Sequence, residues 1–439
     1  PDNNAGPDTN ITQPGALPTS DAELKVLTQW MNDRRGGLLA MGDHDYLGAS
    51  MCHRIPRIRS MRRWTNAQGV PPIGGAANPD THLRHDTNQP ATTGQISAGA
   101  LIPFLNQEDS TPQRIDWVPW ISQQISIFKV LERPHPILCH PTHGPINVMP
   151  DHPHEGWCFE DDEIDLTRDL DIPDLPGKEY PTVGGNQPRP TVIAHGTTTP
   201  NPPFNLAKGP SPKKRFGMIS VYDGHPVNVG RVATDSTWHH WFDENIQAIE
   251  AAGGSNWEKI SRYYLNVAVW LAPPGVPDWC FIFEVIKTHF TYLGFQEYSR
   301  KASVFDLGSA LHTHLTRYLG PCWVTHWVFD KLQLVDADFW AWLKDRLFWK
   351  KGIPVPGGDP CLSCPPFELI EIAVLGGLVR ASFPLADEIK EHTDKSPERA
   401  LKLEPERIIK QQLEGVAMGL KEFRTALAKS VKEMQPLLG

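Results

Sequence analysis

The sequence predicts an N-terminal α/β domain built on a parallel sheet, followed by a mostly helical C-terminal domain. Three observations carry this. A helix-periodic segment passes through two glycines into a short apolar run at residues 38–41. The β-rich runs Thr191–Gly196, Phe216–Tyr222 and Gly230–Thr234 then lead into a second amphipathic helix. After residue 276 the apolar pattern turns helical and rich in aromatics. The change follows Ala272-Pro273-Pro274-Gly275, a strong helix stop, which sets the domains at 1–275 and 276–439.

A chain of 439 residues is too long for one ordinary domain. Its 40% apolar and 21% charged residues support a packed core and exclude wholesale disorder. The net charge, 42 − 51 = −9, argues against a nucleic-acid partner, whose phosphates require a basic face. With 42 prolines and 15 tryptophans, the chain reads as long ordered loops over an aromatic body. The nearest approach to a spanning segment, Phe367–Phe383, carries Glu368, Glu371 and Arg380 and is broken by Gly376-Gly377, so no membrane span is expected. The start, Pro1-Asp2-Asn3-Asn4, has neither the basic nor the apolar part of a signal peptide. Seven scattered cysteines, an odd number, read as reduced thiols of a cytoplasmic protein.

Taken in order, Ser20-Asp21-Ala22-Glu23 is a capping box that starts a helix, continued by Leu24, Leu27, Trp30 and Met31 on one stripe. Gly36-Gly37 is expected to end it, and Leu38–Met41 to form a buried strand. The turn Gly42-Asp43-His44-Asp45 comes next. This is half of a βαβ unit, with its upstream strand expected before Pro1. Residues of about 50–190 form a loop-rich insertion. Within it, Arg54, Arg57, Arg59, Arg62 and Arg63 and the acidic stretch 151–175 are expected as two oppositely charged surface segments that pair. Asp223-Gly224-His225-Pro226 is a turn between β runs, and Trp257–Leu271 is a helix with Ile260, Tyr264, Val267 and Leu271 on its stripe. Helices follow at 281–290, 304–318, 323–329 and 339–349. A Pro/Gly loop holds Cys361 and Cys364, which with Cys322 or His326 could form a structural zinc site. The last helix sets Ile409, Leu413, Val416, Leu420, Phe423, Leu427 and Val431 on a near-heptad seam, fit for core packing, self-association or a protein partner.

Gly36-Gly-Leu-Leu-Ala-Met-Gly-Asp-His44, Gly230-Arg-Val-Ala-Thr-Asp-Ser-Thr-Trp-His239 and the closing helix Asn266-Val-Ala-Val-Trp-Leu-Ala272 together resemble the class I glutamine amidotransferase-like superfold, in its trehalose-utilisation (ThuA-like) branch. The resemblance spans roughly residues 20–50 and 190–272. It implies a flavodoxin-like parallel sheet whose strand-end turns carry the functional side chains. It also marks a departure: the turn that holds a nucleophilic cysteine in true amidotransferases holds Asp43 and His44 here, with Cys52 eight residues beyond His44.

Histidine carries the remaining chemistry. Of 18 histidines, 13 lie at or before His240. Asp43, His44, His239 and His240 are the expected catalytic groups, because ligands of open α/β sheets bind beyond the carboxyl ends of the strands. They would work by acid–base transfer, or through water on a divalent metal held by Asp43, His44, His154 and His239. The competing reading makes these histidines loop hydrogen-bonders, Asp43 or Asp45 a helix cap, and Trp238 a core residue. The expected ligand is a small polar molecule. A non-catalytic assembly subunit that docks partners through its C-terminal helix is the alternative.

Overall fold

The computed structural model describes residues 19–42, 52, 54–64, 84–85, 96–97, 100–101, 112–126, 129–150, 154–155, 157–197, 215–291, 301–347, 367–395 and 405–438. Asp43, His44, Asp45, Cys361 and Cys364 lie outside the described residues, as does the side chain of His154. The chain divides into two units: 1–118 with 145–274, and 119–144 with 275–439. A segment from inside the expected insertion therefore belongs with the helices.

In the first unit, α1 (Asp21–Asp33) opens on the expected capping box: the Ser20 N–H donates to Glu23 Oε2 at 2.9 Å, and the Glu23 N–H donates to Ser20 Oγ. Leu24, Thr28 and Met31 are its buried stripe. The residue that turns the chain out of α1 with a left-handed backbone is Arg35, at φ 51°, not a glycine. Gly36 and Gly37 instead allow close approach. A Cβ on Gly37 would lie 2.1 Å from the Leu271 carbonyl oxygen, and one on Gly230 would lie 1.8 Å from that of Gly36.

The sheet contains β1 (Leu38–Ala40), β2 (Asp116–Trp117), β3 (Thr191–Thr197), β4 (Arg215–Tyr222) and β5 (Val232–Asp235), in the order β1-β5-β4-β3-β2. β1 and β5 are parallel, with Leu38 opposite Val232 and Ala40 opposite Thr234. The other three pairings are antiparallel. The sheet is thus mixed, and not parallel throughout as expected. The turn at Asp223 explains part of this: a link of nine residues, 223–231, closes a hairpin, whereas a parallel pair needs a longer crossover. β1 and β5, with 191 residues between them, have room for one. The antiparallel pairings of β3 with β2 and β4 are not dictated by link length, since 73 and 17 residues separate those strands. α2 (Ile58–Met61), α3 (Asp243–Ala252) and α4 (Gly254–Leu271) complete the unit, whose core includes Leu24, Met31, Ile58, Met61, Trp64, Tyr180, Tyr222 and Val232.

The arginine-rich segment departs most from expectation. Arg57, Arg59, Arg62 and Arg63 are all buried, at 1, 6, 2 and 0% exposure. They are interior residues, and their main carboxylate partner is Glu179, which lies beyond the acidic stretch.

The second unit joins a hairpin, Pro119–Ser126 with Lys129–Pro134, to α5 (Gly275–Thr291), α6 (Val304–Tyr318), α7 (Pro321–Val335), α8 (Ala337–Leu347), α9 (Phe367–Lys395) and α10 (Pro405–Leu438). Arg133 ties the hairpin to the helices. Its guanidinium reaches Glu371 at 3.1 Å and Glu368 at 2.8 Å, contacts the Thr325 hydroxyl, and lies over the Phe367 ring. Among the described residues, α9 has one stretch, Phe367–Glu391, long and apolar enough to cross a membrane; 67% of its most apolar window is buried within the fold. Glycines let α9 pack at backbone distance: a Cβ on Gly376 would lie 1.7 Å from the Val304 carbonyl oxygen, and one on Gly377 would lie 2.2 Å from that of Gly415.

The seam on α10 is buried only in part. Val416, Leu420 and Phe423 are core and Leu413 is half-buried, but Ile409, Leu427 and Val431 are 40, 39 and 48% exposed. Several late aromatics are also outside the core, with Phe283 65% exposed. Gly376→Ala forces α6 and α9 apart and should destabilise the second unit by about 1–3 kcal/mol, the usual range for overpacking. Urea unfolding followed by helical circular dichroism reads this; an unchanged midpoint would show that the two helices do not meet there.

Candidate functional site at the strand end

β5 is buried along its whole length and ends in Asp235. Ser236, Thr237 and Trp238 then turn the chain into a single 3-10 turn, His239–Trp241. This brings His240 back over the strand end, with its Nδ1 2.8 Å from Asp235 Oδ2. Neither side chain is exposed. The other carboxylate oxygen of Asp235 accepts from the Thr237 N–H at 3.3 Å. The Tyr264 hydroxyl donates to the His240 carbonyl at 2.6 Å, which fixes the turn against α4. Tyr263 also hydrogen-bonds Asp235; burial first, and the Asp235 charge second, push its phenol well above the ordinary range. Trp241 packs on both tyrosines, at ring separations of 5.7 and 4.9 Å.

His239 takes another path. Its N–H donates to Thr237 Oγ1 at 3.2 Å, and its ring lies against Trp238, with centroids 4.4 Å apart. Trp238 itself is half-buried. The two expected histidines are therefore neighbours with different partners: His240 is an acid–base pair with Asp235, and His239 is aromatic packing. His154 lies in a two-residue strand opposite His85. Other histidines do serve loops, as His140 does by accepting the Thr142 and His143 N–H groups on Nδ1.

Three residues at this end escaped the sequence reading. Asp235 had a signal, being a carboxylate closing an apolar strand five residues before His240. Arg62 had none, since nothing local distinguishes it from a surface arginine. Its Nη2 donates to the carbonyls of Gly42 at 2.9 Å and Ser236 at 3.0 Å, one just beyond each strand of the parallel pair. The third is Cys158, which bridges Arg62 and Gly217 by backbone pairing. Its thiol donates to the Met218 carbonyl at 3.4 Å and lies 3.5 Å from the Thr234 hydroxyl. Burial pushes the thiols of Cys158 and Cys52 up to about 12, so both remain protonated near neutrality. A separate cavity of about 610 Å³, lined in part by Asp21, Arg54, Asp169 and Asp171, contains none of these residues. Comparison with family models, curated proteins and solved structures finds no match for this chain.

The buried thiols and phenols set an alkaline limit. In the native chain Cys52 and Cys158 hold their protons to about pH 12, while unfolded thiols release theirs near 9.0. Between those values the native state binds more protons than the unfolded state, so stability falls as pH rises. Tyr180, Tyr222, Tyr263 and Tyr264, all raised by burial from 10.0, act in the same direction at higher pH. The urea midpoint of the first unit should be flat from pH 7 to about 8.5 and decline steadily above pH 9. A midpoint constant to pH 11 would mean that these groups are solvated.

Proposed function

We propose that the first unit is an amidotransferase-like α/β domain without a cysteine nucleophile, which binds and hydrolyses a small polar ligand by acid–base chemistry at the ends of β1 and β5. The observation that carries this is the Asp235–His240 pair at the carboxyl end of a strand paired in parallel with β1. An ionised Asp235 holds the imidazole proton on Nδ1 and leaves Nε2 to take a proton from water or a substrate hydroxyl. The register that sets Ala40 opposite Thr234 brings the chain leaving β1, which continues in sequence to Asp43 and His44, beside the chain leaving β5. The protonated state of Cys52 and Cys158 favours histidine over thiol as the working group. Of the donors expected for a divalent metal, only His239 has a described side chain, and it packs on Trp238, so we take acid–base transfer over metal-activated water. Among the described residues, Cys52, Cys158 and Cys322 are buried and form no disulfide, which fits a reducing, cytoplasmic setting.

The test is a panel of chromogenic esters, amides and phosphate esters. Against any substrate turned over, His240→Gln should lose about two to four orders of magnitude in kcat/KM, as removal of a general base does, while Cys52→Ser and Cys158→Ser stay within about tenfold. A fully active His240→Gln variant, or a dead Cys158→Ser variant that still folds, would overturn the assignment.

One observation favours the assembly reading for the second unit. Leu427, Val431 and Met434 continue the apolar stripe of α10 at 39, 48 and 49% exposure. If this stripe docks a partner or a second copy, sedimentation of the wild-type chain at micromolar concentration should show association that Leu427→Glu with Val431→Glu abolishes. A wild-type monomer that also captures no partner would end that reading.

A further inference from the structure

The carboxyl end of the parallel pair is not open. Residues 61–63 and 157–159 extend the sheet past it as a short antiparallel piece. The Arg63 N–H donates to the Trp157 carbonyl, and the Phe159 N–H to that of Met61, both at 3.0 Å. The Cys158 N–H donates to the Gly217 carbonyl at 2.8 Å, in line with β4. From this piece the Arg62 side chain lies across the gap between the two parallel strands, joining the carbonyls of Gly42 and Ser236 through one nitrogen and that of Arg63 through another at 3.1 Å. The Trp64 ring backs it, 4.3 Å from the guanidinium carbon. Gly42 is the second residue after β1 and Ser236 the first after β5, so the chains leaving both parallel strands hang on one guanidinium.

We propose that Arg62 is a positioning residue that fixes the spacing of the chains leaving β1 and β5 and holds the Asp235–His240 pair out of water. Arginine is required chemically. A planar fork with five donors spread over three nitrogens can join three separated carbonyls at once, whereas a lysine ammonium carries its three donors on one nitrogen at the end of a flexible stem and does not span the same distance. The inference rests on the site assigned above, but its test reads geometry and not turnover. A chain that hydrolyses nothing can still show the clamp, and an active enzyme can lack it.

The experiment is modification of His240 by diethyl pyrocarbonate, read by peptide mass spectrometry, together with the imidazole Nδ1 proton resonance of His240. In the wild-type chain His240 should react at least about 100-fold more slowly than in urea and show a downfield Nδ1 proton, as for a buried group reached only by opening. Arg62→Ala should raise the rate at least about tenfold and broaden or remove that resonance, and Arg62→Lys should restore neither. Arg231→Ala is the control. Arg231 is also buried, but it pairs with Asp223 and the Trp270 carbonyl at the opposite end of β5, so His240 should remain protected. Equal protection in Arg62→Ala and wild type would overturn the proposal. If Arg62→Ala does not fold, hydrogen exchange on the unaltered chain decides. The amides of Arg63, Cys158 and Ser236 should then share one opening free energy, and independent exchange of the three would overturn the clamp.

Discussion

A single carboxylate with no exposure, that of Glu179, allows the arginine-rich segment to enter the first unit. It accepts the Arg57 N–H at 2.8 Å, the Ser60 hydroxyl at 2.6 Å and the Arg59 Nε–H, and it forms an ion pair with Arg168 at 3.1 Å. Taking a guanidinium out of water costs several kcal/mol, returned only when opposite charge and hydrogen bonds meet it inside. One carboxylate cannot neutralise four arginines, so backbone carbonyls complete the set. Arg57 donates to the Glu179 carbonyl at 2.7 Å and Arg59 to those of Asp169 and Leu170. Arg62 and Arg63 add the ring faces of Trp64 and Trp157, 4.3 and 4.9 Å away. Removing one partner from such a network costs about 3–5 kcal/mol, because what remains is an unpaired buried charge.

That network determines what the strand end can do. Once Arg57 and Arg59 are pinned to Glu179, the next turn of chain has little freedom, and Arg62 is delivered to the gap between β1 and β5. The insertion therefore serves as the wall of the site and not as a loop passing over it. A fully buried Asp–His pair shares the same surroundings: water is excluded, and Tyr263 and Tyr264 stay neutral beside it because burial and the Asp235 charge both oppose their ionisation. Thiol chemistry meets the same barrier. The environment that keeps Asp235 and His240 together keeps Cys158 protonated.

Much of the framework was legible because it is local. The capping box of α1, the β runs at 191, 216 and 230, the turn at Asp223 and the late helices are all set by residues a few positions apart. The arginines were not legible. Arg59 and Glu179 are 120 residues apart, and spacing alone cannot separate a buried cluster from a solvated one. Sheet direction was misread for a related reason. An apolar strand run is the same in a parallel or an antiparallel sheet, and a connection settles the direction only when it is too short for a crossover. At the strand end the two histidines are adjacent in sequence, but their surroundings are set by Asp235 and Trp238, which a cluster of histidines does not by itself single out. Asp43 and His44 lie outside the described residues, so their part in the site stands as the sequence states it.

The incomplete burial of the α10 seam has a geometric origin. α9 and α10 run antiparallel at backbone contact, with Gly377 against Gly415 and Ala373 against Gly419. Carried along both helices, that register sets Phe367, the first residue of α9, opposite Thr425. The seam positions Leu413 to Phe423 have α9 beneath them and are at least half-buried, whereas those from Leu427 onward have run past the start of that helix. Ile409 is 40% exposed although the register sets Phe383 opposite it, so its exposure has another origin. The heptad-like spacing was a correct reading of which side of α10 is apolar; how much of that side the fold covers depends on where α9 begins, which the seam itself does not encode. An apolar stripe maintained for two further turns after its partner helix has ended has no packing role within the pair. This is why Leu427, Val431 and Met434, and not the buried part of the seam, are the residues on which an assembly function has to stand or fall.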